Sequence, residues 1–129
     1  MGQRWRCGEI RLYYSPVLES IVRIPTADDQ EANLDEDHWN AHIVTEHFEL
    51  LPYQRLVIET LQRPEFICRG KRDPTTKIYQ RTYENIFIGD KRVERISLRV
   101  FVRETSGFVV TAFFAEAEFR GLGEKIWPL

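Results

Sequence analysis

Cysteine is scarce in this chain. Cys7 and Cys68 are the only two in 129 residues, and their separation fits no metal-ligand spacing. They read as reduced thiols, which argues against a disulfide-stapled secreted module. Long apolar runs are also missing: none approaches the roughly 20 residues of a membrane-spanning helix. The first ten residues, MGQRWRCGEI, lack the apolar centre of a signal peptide. Arg6 stands where a myristoylation site would carry Ser or Thr. Together these absences give the expectation of a cytoplasmic protein with no membrane partner. No GxGxxG, P-loop, GxSxG elbow or Cys–His signature occurs, so dinucleotide, nucleoside-triphosphate, α/β-hydrolase and cysteine-protease chemistry find no support. Carboxylates are plentiful, but none are spaced as a catalytic dyad. No cofactor is implied.

What is present is an ordinary globular composition, with 43% hydrophobic and 29% charged residues. The length suits one domain, 1–129, large enough to bury a core. The formal net charge of −2 conceals a polarity. Residues 1–50 hold four Lys/Arg against ten Asp/Glu, or −6, and residues 51–129 hold fourteen against ten, or +4. Within 63–103 the balance is eleven basic to five acidic, or +6. A local basic face of this kind suits nucleic acid, although solvated arginines on a sheet would produce the same count.

Along the chain, IRLYYSPVLE and SIVRIP read as short strands. An acidic stretch, residues 26–37, reads as a surface loop of an N-terminal extension. A helix is expected from Asp35, a good N-cap with Glu36 and Asp37 in the first turn, to about Phe48. A second helix starts at Pro52, carries Tyr53, Leu56, Val57 and Leu61 at helical spacing, and ends at Pro64. The period then changes to two. EFICRG, TTKIYQRTY, ERISLRVFVRE and GFVVTAFFAEAEF read as strands, with NIFIG as a further short one. The expected fold is α+β, with two N-terminal helices packed on a mainly antiparallel sheet of four or more strands.

All three histidines, His38, His42 and His47, fall within ten positions. Histidine has the side-chain pKa nearest neutrality, so such a cluster suits proton transfer. His38, His42 and Glu46 share a helix face at four-residue spacing, which also suits a metal. Trp39 stands where a zincin would carry Glu, and no further ligand is positioned, so no metal is assigned. His47 closes the helix, where a cationic cap is favoured.

In the strands, Lys77, Tyr79, Arg81 and Tyr83 alternate onto one face. Ser97, Arg99, Phe101 and Arg103 do the same on the next strand, opposite Ile96, Leu98, Val100 and Val102. Neighbouring strands would then expose one continuous basic and aromatic surface able to hold phosphates and stack bases. Cross-strand pairing alone would explain the same pattern. Thr111 is a lone hydroxyl in the apolar strand VVTAFFA.

VRIP, an acidic spacer, HWNAHIVTEHFEL, a helix ending LQRPEFI, a Tyr-containing strand and VVTAFFA together resemble the phage-associated barnase/EndoU/colicin/RelE-type domains, small ribonucleases of the BECR fold. The resemblance covers about residues 21–115. It implies metal-independent cleavage of RNA through the 2′-hydroxyl on the open face of the sheet, RNA as partner and a possible cognate inhibitor protein. His42 and His47 match the two helix histidines, Tyr79 the strand tyrosine and Thr111 the last-strand hydroxyl. Arg69, Lys71, Arg72 and Arg81 all suit the basic position, and Arg81 is chosen because it shares a face with Tyr79. Phe48 departs from the family's proline, and His38 is extra. The expected catalytic set is His42, His47, Tyr79, Arg81 and Thr111, with Lys77, Tyr83, Arg99 and Arg103 binding RNA. Two alternatives stand beside it: a non-catalytic RNA- or protein-binding module, and a metal enzyme using His38, His42 and Glu46.

Overall fold

The computed structural model describes residues 21–116 and 120–129. Cys7 and the expected strand 10–19 lie outside them. The chain is α+β. Strands β1 (Ile21–Pro25) and β2 (Glu31–Asp35) form an antiparallel hairpin. Two helical segments follow, and then β3 (Phe66–Gly70), β4 (Thr76–Ile88), β5 (Lys91–Arg103), β6 (Val109–Ala115) and β7 (Leu122–Trp127). These five strands form one antiparallel sheet in the order β6-β5-β4-β3-β7. The helices lie between strands rather than at the N-terminus. Among the described residues no helix is long and apolar enough to cross a membrane.

The acidic stretch is not simply a loop. Glu31–Asp35 is strand β2 because Ala32 and Leu34 alternate inward, both fully buried, between outward Glu31, Asn33 and Asp35. The Asn33 N–H donates to the Gly107 carbonyl at 2.7 Å, which docks β2 on the turn between β5 and β6.

Asp35 caps the first helix as its sequence position suggests: Oδ1 accepts from the N–H groups of Asp37 (2.9 Å) and His38 (3.2 Å). The helix covers residues 36–46, and its middle, Trp39–Ile43, widens to a π-helical turn. Widening displaces a carbonyl from the regular ladder, and the Thr45 hydroxyl donates to the Asn40 carbonyl at 3.1 Å. His47 leaves the helical region, a short 3₁₀ segment (Phe48–Tyr53) turns the chain, and the second helix runs Gln54–Gln62. Its Val57 and Leu61 are fully buried, with Tyr53 and Leu56 packed beside them.

One face of the sheet carries the core. Ile67, Tyr79, Leu98, Val100, Val102 and Ala112 meet Ile24, Leu34, Trp39, Ile43, Val57 and Leu61. The other face carries Cys68, Ile78, Gln80, Thr82, Ser97, Arg99, Phe101, Thr111 and Phe113, as the register requires. Strands β6 and β7 occupy opposite edges of the sheet. Arg120, just before β7, is tied to this second face: Arg99 Nη1 donates to its carbonyl at 2.6 Å.

Candidate functional site: a basic cleft on the second sheet face

The register of β4 against β5 decides which expected site residues meet. Tyr79 pairs with Val100, Lys77 with Val102 and Arg81 with Leu98, whereas Arg99 pairs with Gln80 and Phe101 with Ile78. The two polar rows expected to form one surface therefore lie on opposite faces. The Lys77–Tyr83 row is matched across the ladder by Val102, Val100, Leu98 and Ile96, and the Ser97–Arg103 row by Thr82, Gln80, Ile78 and Thr76.

The Lys77–Tyr83 row is folded under the helices and its polar ends are taken up by the protein. Asp28, in the β1–β2 turn, accepts from Lys77 Nζ at 2.6 Å, Tyr79 Oη at 2.8 Å and Thr26 Oγ1 at 2.6 Å. Burial pushes the Asp28 carboxyl up, but these hydrogen bonds outweigh it and hold it below its ordinary 3.8. Burial raises the Tyr79 phenol well above its usual value, and the bond to Asp28 reinforces this. Tyr79 is fully buried. Arg81 Nη1 donates to the Arg63 carbonyl at 2.6 Å, closing the C-terminal end of the second helix. Tyr83 shares a 3.1 Å hydrogen bond with Thr60 and donates to the Leu56 carbonyl, and burial pushes its phenol up to about 12. The contacts of these four residues join β4 to the hairpin and the second helix.

The histidines flank the β6 edge. His38 Nε2 lies 2.8 Å from the Val110 carbonyl, at the bulge where β6 slips against Phe101 and Val102. Its ring stacks on His42 at 4.8 Å and meets Phe108 at 4.8 Å. His38 thereby serves an edge carbonyl, and His42 is solvent-exposed beside it. Among the described residues no three His, Cys, Asp or Glu side chains converge as a metal site. His47 rests on Phe113 at 5.3 Å, with Nδ1 3.9 Å from Glu49. Phe113 in turn meets Phe101 at 5.2 Å.

Thr111 lies on the second face, opposite Phe101, but its hydroxyl is buried and has no hydrogen-bond partner among the described residues. The sheet thus separates Thr111 from Tyr79 and Arg81, and the expected constellation of His42, Tyr79, Arg81 and Thr111 does not converge.

What does converge is a cleft of about 690 Å³ on the second face. Ile78 and Phe101, paired across β4 and β5, form its floor. The β3–β4 turn walls one side with Gly70, Lys71, Arg72 and Asp73, and Arg120 and Gly121 wall another. Gly70 is required because a Cβ there would stand 2.6 Å from the Asp73 carbonyl oxygen. Gly121 adopts φ +83, which glycine reaches without strain. Lys71, Arg72 and Arg120 make no side-chain hydrogen bond or ion pair with any described residue. Arg69 contrasts with them: its Nη1 is bound to Glu104 at 2.8 Å.

Asp73 is the one acid among the described residues of the lining. The Thr75 side chain and N–H and the Thr76 hydroxyl donate to its carboxylate and hold it below the usual range. Among the described lining residues, three cations stand against one anion, which makes this lining basic. Arg103, opposite Thr76, adds positive potential at Asp73. Arg99 is buried on the same face; burial lowers its pKa, and Nε donates to Gln80 Oε1 at 2.8 Å. Cys68 is also buried on this face, and burial pushes its thiol up from 9.0, which disfavours the reactive thiolate.

Sequence reasoning counted Lys71 and Arg72 among the basic candidates and passed over them for Arg81. Their position in a Gly-Lys-Arg-Asp-Pro turn between two strands was the available signal. Arg120 carried none, because it stands at the cleft through the pairing of β7 with β3, a strand far from it in sequence. No family model, curated protein or solved structure matches this chain.

Proposed function

We propose that this protein binds RNA through the basic cleft of its second sheet face. The observation that carries the proposal is the grouping of Lys71, Arg72 and Arg120, unpaired within the described protein, around a floor of Phe101 and Ile78. Unpaired cations around an aromatic floor suit a ligand that offers both phosphate and base. Phe113 extends the aromatic surface from Phe101 towards His47. A BECR-like layout belongs to the same proposal. The consecutive antiparallel strands β3 to β6, preceded by two helices, support it, and the β1–β2 hairpin and β7 would then be additions to that plan.

The test is binding of fluorescein-labelled RNA followed by anisotropy across a salt series. Affinity should fall steeply with salt, and Lys71→Glu/Arg72→Glu should weaken binding and flatten the slope by about two. Salt-insensitive binding, or a charge-reversed variant that binds like wild type, would refute the proposal.

A second reading, metal-independent cleavage, is favoured by one observation: His47 reaches the cleft's aromatic row through Phe113. His47 would be the acid/base group in place of His42. Cleavage in EDTA that falls about 10²–10⁴-fold in His47→Ala supports it, and intact RNA under wild-type protein eliminates it.

A further inference from the structure

We infer that the cleft accepts one unpaired nucleotide, with its phosphate at Lys71, Arg72 and Arg120 and its base on Phe101. This rests on the RNA-binding proposal and narrows it to single-stranded RNA. Three features of the cleft argue for it.

The first is size. A cleft of about 690 Å³ lies within the range of small-molecule sites, roughly 300–1,000 Å³, and is far too small for a helix. The second is the floor. The half-buried Phe101 ring in the lining offers a stacking face to a base that has left its stack, whereas duplex RNA offers its phosphates and shallow-groove edges instead. Phe113 supports the Phe101 ring from the β6 side at 5.2 Å, which holds that ring as a platform. The third is the distribution of charge around the rim. The Asp73 carboxylate is fixed by Thr75 and Thr76 and kept ionised, so it repels phosphate from its own side. The unpaired cations draw phosphate to theirs. Arg120 is delivered to the wall because Arg99 grips its carbonyl.

The test uses the full chain, ¹⁵N-labelled, with inorganic phosphate, adenosine 5′-monophosphate, a short single-stranded RNA and the same RNA as a duplex as probes. Amide shifts at Gly70, Phe101 and Gly121 should report the nucleotide, with affinity about tenfold above that for phosphate, the contribution expected of one stacked base. Phe101→Leu, which keeps the floor apolar, should reduce the nucleotide to near the phosphate level. Lys71→Glu, at an exposed turn where folding is not at issue, should weaken both. Single-stranded RNA should displace the nucleotide and the duplex should not.

A nucleotide that binds no better than phosphate, or a duplex that displaces it as well as the single strand does, overturns the inference. Salt-dependent RNA binding would survive either result. Nucleotide binding as described with no displacement by any RNA would leave the cleft as a nucleotide site and refute the RNA proposal alone.

Discussion

Replacing Lys77 by Met keeps the apolar stem within the fold and removes only the ammonium. The Nζ atom lies 2.6 Å from Asp28 Oδ2, and the two side chains are 6% and 16% exposed. Removing one partner of a buried pair typically costs about 3–5 kcal/mol. Asp28 retains its bonds from Tyr79 and Thr26 and some contact with water, so the lower end, about 3 kcal/mol, is expected. For a domain of this size that corresponds to a fall in Tm of roughly 10 °C. The sign of the pH dependence follows from Asp28. Its folded pKa lies below the unfolded 3.8, so its contribution is present above 3.8 and is lost as pH falls through the folded value. The gap between wild type and Lys77→Met should therefore be full at neutral pH and narrow in acid. Thermal unfolding followed by circular dichroism at neutral and acid pH measures it. A variant within about 2 °C of wild type at neutral pH, or a gap independent of pH, would refute the reasoning.

Three further outcomes are expected. Tyr83, with its phenol raised to about 12, and Tyr79, raised further, contribute stability that is complete below their unfolded value of 10.0 and lost as pH rises through the folded values. Melts in alkali should show this loss, and Tyr79→Phe should reduce it; a melting temperature flat through that range would contradict the prediction. Thr111→Val removes a buried hydroxyl that has no partner among the described residues and should stabilise by about 1 kcal/mol in chemical denaturation, whereas destabilisation would reveal a bond. Asp35→Ala should cost about 1 kcal/mol through the lost cap in the same assay, and an unchanged midpoint would mean that the helix start is held by packing alone.

The alternating strands, the Asp35 cap and the stripe of the second helix were legible because each is a local pattern. The facing of the sheet was not, because alternation tells which residues of one strand share a side but not which side of the next strand they meet. That choice is made by the register, Tyr79 against Val100. The polar ends of Lys77, Arg81 and Tyr83 suggested solvent, yet each finds its partner 18 to 49 residues away, at Asp28, Arg63 and Thr60. Strand β2 was hidden because only Ala32 and Leu34 face inward between the polar Glu31, Asn33 and Asp35. Strand β7, LGEKIW, pairs with β3 through irregular register and shows no clean period. The cleft was hidden with β7, since Arg120 and Gly121 line it immediately before that strand.

The measurement that bears most directly on the central claim compares two charge removals in one RNA titration across salt. Lys71→Glu/Arg72→Glu should weaken binding and flatten the salt slope, because these side chains face the cleft. Lys77→Met, measured well below its melting temperature, should leave the slope unchanged, because its charge is spent on Asp28. The opposite pattern, a slope that responds to Lys77 and ignores Lys71 and Arg72, would place RNA on the other face of the sheet and contradict the account.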